Sequence, residues 1–240
     1  LLPSTAGFYN ISCTASDPSG SSNTATLTAI VCSLKITNMS EINIEEWNFE
    51  GSALWNDYEN TLELTPVETN QVGTAFNTID TISGYQAEIA FDFYIGDGSG
   101  ADGLTFTALD VNRMTTFLGE SGGGIGYGGL PGWTIEIDTY YNGGADPTPN
   151  DHLAFTFDGN SSEYILWSTL PEMEDNGWHT IKIRVNAPHV YVEVNGIRYI
   201  NEEVEGWTDF NAIVGFTAGT GGATNRHAIK NLIVSDTNCE

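Results

Sequence analysis

Glu136, Asp138, Asn142, Asp146 and His152 place five potential metal ligands within seventeen residues. The run Trp133-Thr134-Ile135-Glu136-Ile137-Asp138 alternates. In a strand, Trp133, Ile135 and Ile137 then share one face while Glu136 and Asp138 leave the other. Two carboxylates on one face, followed by a loop with Asn, Asp and His, can hold a pair of adjacent ions. The oxygen-rich half, made of Asp138, the Tyr140 carbonyl, Asn142 and Asp146, suits Ca²⁺, a hard cation that takes roughly 6–8 oxygen ligands. The half with His152, joined by Glu136, Asp138 and Asp146, suits a second divalent ion such as Mn²⁺ or Zn²⁺. Asp138 and Asp146 would bridge the two. A Glu-x-Asp pair alone is more often a solvated sheet face, and a lone loop His more often idle. The ion reading rests on ligand types, spacing and flanking loops agreeing together.

The elements that must position these ligands are strands. The 240 residues include 27 glycines and 11% aromatic side chains, with short apolar-alternating runs such as Glu88–Ile95 and His152–Phe157. Val190–Val194, Asn195-Gly196 and Ile197–Ile200 read as a hairpin, because Asn-Gly tolerates the positive φ angles of a two-residue type I′ turn. Many short strands between Gly-rich turns, without a helical period, predict a two-sheet antiparallel sandwich. The chain is long enough for one large β domain with a sizeable core.

With 32 acidic against 7 basic residues the net charge is −25. That balance argues against nucleic acid as a partner, since phosphates demand a basic surface, and against anionic membrane surfaces. No run approaches the roughly 20 apolar residues of a membrane span, so no membrane insertion is expected. Leu1-Leu2-Pro3-Ser4 lacks both the charged start and the apolar core of a signal peptide, which predicts a mature or excised piece.

The Glu-x-Asp-x-Tyr-x-Asn spacing, with Asp146 and His152 beyond it, resembles the double-metal loop of the L-type (legume-type) lectins. Three other segments resemble that family in the expected order. Gly100-Ala101-Asp102-Gly103-Leu104-Thr105-Phe106 is similar to its sugar-binding Asp loop, and Gly122-Gly123-Gly124-Ile125-Gly126 to its glycine loop. Gly215–Ala223, running on to His227, is similar to its fourth loop, which varies with sugar preference. Ala53-Leu54-Trp55 and Leu62–Pro66 resemble its opening strands, and the likeness covers about residues 34–236. It implies an all-β, antiparallel two-sheet jelly-roll sandwich of the concanavalin A-like kind.

The resemblance also implies a site that binds carbohydrate without catalysis. Asp102 would accept two sugar hydroxyls, Asn142 would donate its amide while its oxygen holds Ca²⁺, and the Gly124 (or Gly123) N–H would donate. Tyr140 would offer its ring, with the Gly222 and Ala223 backbone completing the rim. Ca²⁺ would fix Asn142 and the Tyr140 backbone, and the Ala101–Asp102 peptide would be cis. Weak single-sugar binding with avidity from multiple copies follows for such shallow sites.

Residues 1–33 stand apart. Gly7–Ser16 and Thr24–Val31, joined through Asp17-Pro18-Ser19-Gly20, read as two strands of a hairpin. This resembles the C-terminal hairpin of an immunoglobulin-like surface repeat, leaving residues 34–240 as the lectin-like domain. An isolated hairpin is marginal in water, so it would complete a sheet of an upstream repeat or of a neighbouring molecule. Turning near Ser19-Gly20, it would set Cys13 opposite Thr26. The lectin resemblance places the domain's first and last strands side by side and so implies a Cys32–Cys239 bridge, with Cys13 pairing upstream or free. The whole reads as a Ca²⁺-dependent lectin domain of an extracellular or cell-surface adhesin or filament protein. Its partners would be glycans or glycoproteins on a cell or matrix surface and neighbouring modules of the same protein or filament.

Two rival readings share the architecture. A laminarinase-type glycoside hydrolase needs a nucleophile and an acid/base carboxyl roughly 5–5.5 Å apart. Tyr140 and Tyr141 stand where its second Glu belongs, while Glu163, Glu172 and Glu174 lie too far along. A laminin-G or pentraxin-like structural module would bind Ca²⁺ but does not call for Ala101-Asp102-Gly103 together with Asn142.

Overall fold

The structure is a computed structural model that describes residues 7–20, 22–31, 34–36 and 44–235. Eighteen strands are described. They begin with β1 (Gly7–Ser16), β2 (Ser22–Val31), β3 (Leu34–Ile36), β4 (Trp47–Gly51), β5 (Leu54–Asn56) and β6 (Thr61–Thr65). Next come β7 (Val72–Asn77), β8 (Ile82–Ser83), β9 (Gln86–Gly96), β10 (Gly103–Asp110), β11 (Gly132–Asp138) and β12 (His152–Phe157). The series closes with β13 (Leu166–Thr169), β14 (Trp178–Asn186), β15 (His189–Val194), β16 (Ile197–Glu203), β17 (Asn211–Gly219) and β18 (Arg226–Ser235).

Two antiparallel layers form a jelly-roll sandwich. The back layer runs β5-β6-β18-β9-β14-β15-β16, with β3 beside the far end of β18, and the front layer runs β4-β7-β17-β10-β11-β12-β13. The two-residue β8 pairs with β17 and β9 and so joins the layers. The first and last strands of the domain lie together, Val234 opposite Ile36. The Asn195-Gly196 turn takes positive φ at both residues, 51° and 77°, as its sequence requires.

Alternation decides what each layer buries. In β14, Ile181, Ile183 and Val185 point inward, while Thr180, Lys182 and Asn186 meet solvent. The inner faces interlock through aromatic rings: Phe91 of the back layer meets Phe216 edge-on at 4.9 Å and stacks on Phe106 at 6.0 Å. Each such ring contributes about 1.5–3 kcal/mol by leaving water. The front layer has no wet face at its centre, since every residue of β10 and β11 is buried. Residues 111–131 fold over its outer side and build a second, smaller core of Phe76, Leu109, Ile125, Tyr127, Leu130 and Ile213. A Cβ on Gly215 would come within 2.3 Å of the Phe76 ring, so only glycine lets that ring lie flat on the sheet.

The outer face of the front layer is therefore polar yet covered. Four of its threonines pair with one another: Thr105 Oγ1 lies 2.8 Å from Thr217 Oγ1, and Thr107 Oγ1 lies 3.1 Å from Thr134 Oγ1. The ladder frames the place where the acidic side chains emerge.

The β1–β2 hairpin is a separate two-stranded sheet. Its register puts Cys13 opposite Ala25, and Ser12 opposite Thr26. This corrects the Cys13–Thr26 alignment by one residue, because the loop between Ser16 and Ser22 centres on Ser19. There the Asp17 carboxylate accepts the Ser19 N–H at 2.8 Å and Oγ–H at 2.6 Å. Asn10, Ser12 and Thr14 bond across to Thr28, Thr26 and Thr24, so one face is a hydroxyl ladder. Tyr9, Ile11, Cys13, Ala25, Leu27 and Ala29 alternate onto the other. Cys13 is exposed and free. Cys32 and Cys239 lie outside the described residues, and with them the implied bridge.

Candidate metal and sugar site

Four loops converge where β10, β11 and β17 end. The pairing sets Gly103 opposite both Asp138 and Gly219, so the segments around Asp102, Tyr140 and Thr220 meet over one row of the front layer. The 3₁₀ turn Gly122–Gly124 closes over them from the covering layer.

Asp138 lies opposite His152 across the β11–β12 pair, and Glu136 leaves the same face one pleat earlier. Ligand atoms of Glu136, Asp138 and His152 all lie within 4.8 Å of one another. None of the three residues is more than 1% exposed. The Tyr127 hydroxyl donates to Glu136 Oε2, and the Tyr164 ring meets the His152 ring edge-on at 5.5 Å. Glu136 Oε1 and His152 Nε2 have no hydrogen-bond partner and stand 3.9 Å apart. Burial pushes both carboxyls above the usual carboxylate range, and the Glu136 charge adds to the effect at Asp138. Burial also lowers the His152 pKa, favouring the neutral imidazole that a metal ligand needs. Two buried carboxylates and an imidazole, with Glu136 Oε1 and His152 Nε2 left unsatisfied, fit a divalent cation as their common partner.

The oxygen-rich residues sit on the rim. Asp146 is half-buried; its Oδ2 accepts the Asn142 backbone N–H and its Oδ1 lies 3.5 Å from the Tyr164 hydroxyl. The Tyr140 N–H donates to Asp138 Oδ1 at 2.8 Å, and Asn142 Nδ2 donates to the Tyr140 carbonyl at 3.3 Å. Asp138 thus belongs to both groups. His152 converges with Glu136 and Asp138, while Asp146, Tyr140 and Asn142 are linked by hydrogen bonds.

Beside them lies Asp102, 2% exposed, at a cis Ala101–Asp102 peptide. Its N–H donates to the Gly219 carbonyl at 3.0 Å, and its carbonyl accepts the Thr139 N–H at 2.9 Å. Burial pushes the carboxyl up to about 6, opposed by a hydrogen bond from the Asn142 side chain. Asp102 Oδ2 has no partner. A Cβ on Gly221 would sit 3.2 Å from that oxygen, and one on Gly123 would sit 2.9 Å from the Asn142 amide nitrogen. Gly123 therefore borders Asn142. Gly124 is buried, donates its N–H to the Ser121 carbonyl at 3.2 Å, and has its α-carbon facing Glu120. Gly222 is open and Ala223 half-buried on the far rim, and the Tyr140 ring is 42% exposed.

Sequence reasoning did not single out Tyr127, Tyr164 or Gly221. Tyr127 and Tyr164 come from covering loops with no period, and only the strand register brings them to Glu136 and His152. Gly221 was visible as a glycine, but not as the one facing Asp102. His227, where the fourth-loop likeness ended, is fully buried with Nδ1 at 2.6 Å from Thr65 Oγ1.

Residues 37–232 match the model of the legume lectin beta-barrel domain (L-type lectin). Among solved structures, the basic winged bean lectin with Tn-antigen is 23% identical, with a TM-score of 0.69 over 83% of this chain and 95% of its own. The Ca²⁺/Man-bound exoplasmic/lumenal domain of VIP36 is 16% identical, with a TM-score of 0.71 over 87% and 93%. The lectin from Bauhinia forficata in complex with GalNAc is 17% identical, with a TM-score of 0.69 over 85% and 98%. These likenesses share the two-layer fold described above, and the family model spans most of the chain. The chain belongs to the legume (L-type) lectin domain family.

Proposed function

We infer that this domain binds carbohydrate in a Ca²⁺-dependent manner, without transforming it, as part of an extracellular adhesin or surface filament protein. The observation that carries the reading is Asp102 Oδ2, a buried acceptor without a partner. It faces Gly221 and has the Asn142 amide beside it. A buried polar atom without a partner is costly unless a ligand completes it, and a sugar hydroxyl is a donor of the right size. In this reading Asp102 accepts hydroxyls, the Asn142 amide and the Gly123 N–H donate (the Gly124 N–H being taken by Ser121), and Tyr140 offers its exposed ring to the sugar's C–H face. Gly222 and Ala223 close the rim. The glycines keep side chains out of the cleft, so that the sugar meets backbone.

Asp138, the Tyr140 carbonyl, Asn142 and Asp146 would hold Ca²⁺, and Glu136, Asp138, Asp146 and His152 a second divalent ion such as Mn²⁺. When bound, the ions supply fixed positive charge that orients these donors and neutralises the buried carboxylates. The sugar ligands of the similar lectins and the Ca²⁺ of the VIP36 form support the assignment. The partners are glycans or glycoproteins of a cell or matrix surface, together with neighbouring modules. Support for the modules comes from the β1–β2 hairpin, whose alternating hydroxyl and apolar faces suit one half of an immunoglobulin-like sandwich.

A glycan array read with and without EDTA tests the proposal. Binding that chelation abolishes, and that Asp102→Ala lacks, is the expected result. Binding that survives chelation would remove the Ca²⁺ dependence. Failure to bind any glycan in Ca²⁺ buffer would leave a structural module instead.

A further inference from the structure

The backbone of Asp102 is fixed downstream by Gly219 and Thr139. What fixes its approach is different. The Ser99 and Gly100 N–H groups both donate to the Thr224 carbonyl, at 2.7 and 3.1 Å, and the Thr224 N–H returns to Ser99 Oγ at 3.1 Å. On the other side, the Asp97 N–H donates to Asn176 Oδ1 at 2.7 Å. The segment 97–100 is thus gripped between residues 172–176 and the end of the fourth loop.

One side chain reaches both. The Asn225 amide, 1% exposed, donates to Glu174 Oε1. A Cβ on Gly100 would lie 3.3 and 3.4 Å from the two Glu174 carboxylate oxygens, so the segment leading to Asp102 rests directly on that carboxylate. Gly98 is held as closely, its Cβ position being only 1.8 Å from the Thr224 carbonyl oxygen. Asn225 follows Gly221, Gly222 and Ala223 in the same loop. The two loops that flank the Asp102 carboxylate therefore share one anchor, and it lies outside the pocket.

We propose that Glu174, through Asn225, is a positioning residue that locks the Asp102 loop and the fourth loop into a common register for sugar. It does not touch sugar, and it is remote in sequence from the metal ligands. The proposal rests on the carbohydrate-binding reading for its functional half, while the coupling of the two loops is measurable without any ligand.

The experiment compares Glu174→Ala, Glu174→Gln and Glu172→Gln in the full chain. Gln keeps an acceptor oxygen for Asn225, and Glu172 lines the same cleft without bonding Asn225. Hydrogen exchange is followed at the Ser99 and Gly100 amides and across residues 221–225. Sugar affinity is measured by calorimetry with the tightest-binding monosaccharide of the array, and Ca²⁺ affinity separately. In Glu174→Ala, exchange should quicken in both loops together and sugar Kd rise by about fivefold, the scale of one ordinary hydrogen bond. Ca²⁺ affinity should stay put, and both Gln variants should match the parent. Exchange that quickens in one loop alone, or Glu174→Gln losing as much as Glu174→Ala, overturns the shared anchor. Unchanged sugar affinity in Glu174→Ala overturns the positioning role. A parent chain that binds no sugar refutes the lectin reading, and the exchange data then still decide whether the loops are coupled.

Discussion

Glu136 Oε1 and His152 Nε2 face one another at 3.9 Å across two paired strands, both buried and both without a hydrogen-bond partner. Thr105, Thr107, Thr134 and Thr217 on the same face pair with one another, although the Thr74 Oγ1 beside Thr217 does not. Of the buried side-chain atoms without a partner among the described residues, the Glu136 and His152 pair is the one that brings a carboxylate oxygen and an imidazole nitrogen together.

Divalent cations should therefore stabilise the fold. At a hundredfold excess over Kd a ligand adds about 2.7 kcal/mol, which for a domain of this size raises Tm by about 5–10 °C. Ca²⁺ and Mn²⁺ titrations followed by calorimetry check this. Glu136→Gln and His152→Ala should lose the Mn²⁺ increment and keep more of the Ca²⁺ one, since Asp146, Asn142 and the Tyr140 carbonyl remain. A Tm indifferent to either ion would remove the metal centre.

Gly221→Ala should weaken sugar binding while sparing the fold. The added methyl would point at Asp102 Oδ2 from 3.2 Å and occupy the space a hydroxyl needs. Its backbone is not in the left-handed region, so strain does not confuse the result. The expected loss is about tenfold or more in affinity, with the Ca²⁺-induced rise in Tm intact. Retained affinity would show that sugar does not approach Asp102 from this side.

Much of this was legible in the chain. Alternation from Trp133 to Asp138 placed Glu136 and Asp138 on one face, and the Asn195-Gly196 turn formed as its residues dictate. The parts that were not legible depend on register between distant segments. Nothing local says that Tyr127 caps Glu136, that Tyr164 leans on His152, or that Gly123 faces Asn142. Each follows from how the covering layer settles on the front strands. The one-residue error at Cys13 has the same origin: a turn's centre is set by side-chain bonds of Asp17, and its composition alone left two positions open.

The β1–β2 hairpin should contribute nothing to the stability of the domain. Ile11 and Leu27 face each other at 42% and 67% exposure, so neither is buried by a third element. Ile11→Ser with Leu27→Ser should leave the denaturation midpoint of the lectin domain unchanged within about 0.5 kcal/mol. A loss of about 1 kcal/mol or more would mean the hairpin packs on the domain in solution.

His227 weighs against the fold in acid. It is fully buried, and desolvation lowers its pKa to about 3. The unfolded chain binds its proton near pH 6.5, so below that value the unfolded state takes up a proton that the folded state refuses. The contribution is complete above about pH 6.5 and declines by about 1.4 kcal/mol per pH unit beneath it. Asp102 and Asp151 act in the opposite sense: burial holds both near 6, so the folded chain gains their protons first as pH falls. The parent's own pH profile is therefore flattened, and the His227 term emerges only by difference. His227→Gln should lose stability at neutral pH through the Thr65 contact, then regain about 1.5 kcal/mol relative to the parent between about pH 6.5 and about pH 5. Urea midpoints of the two chains across that range measure it. Parallel profiles would mean that His227 is protonated inside the folded domain, and that its surroundings are wetter than the packing of β6 against β18 allows.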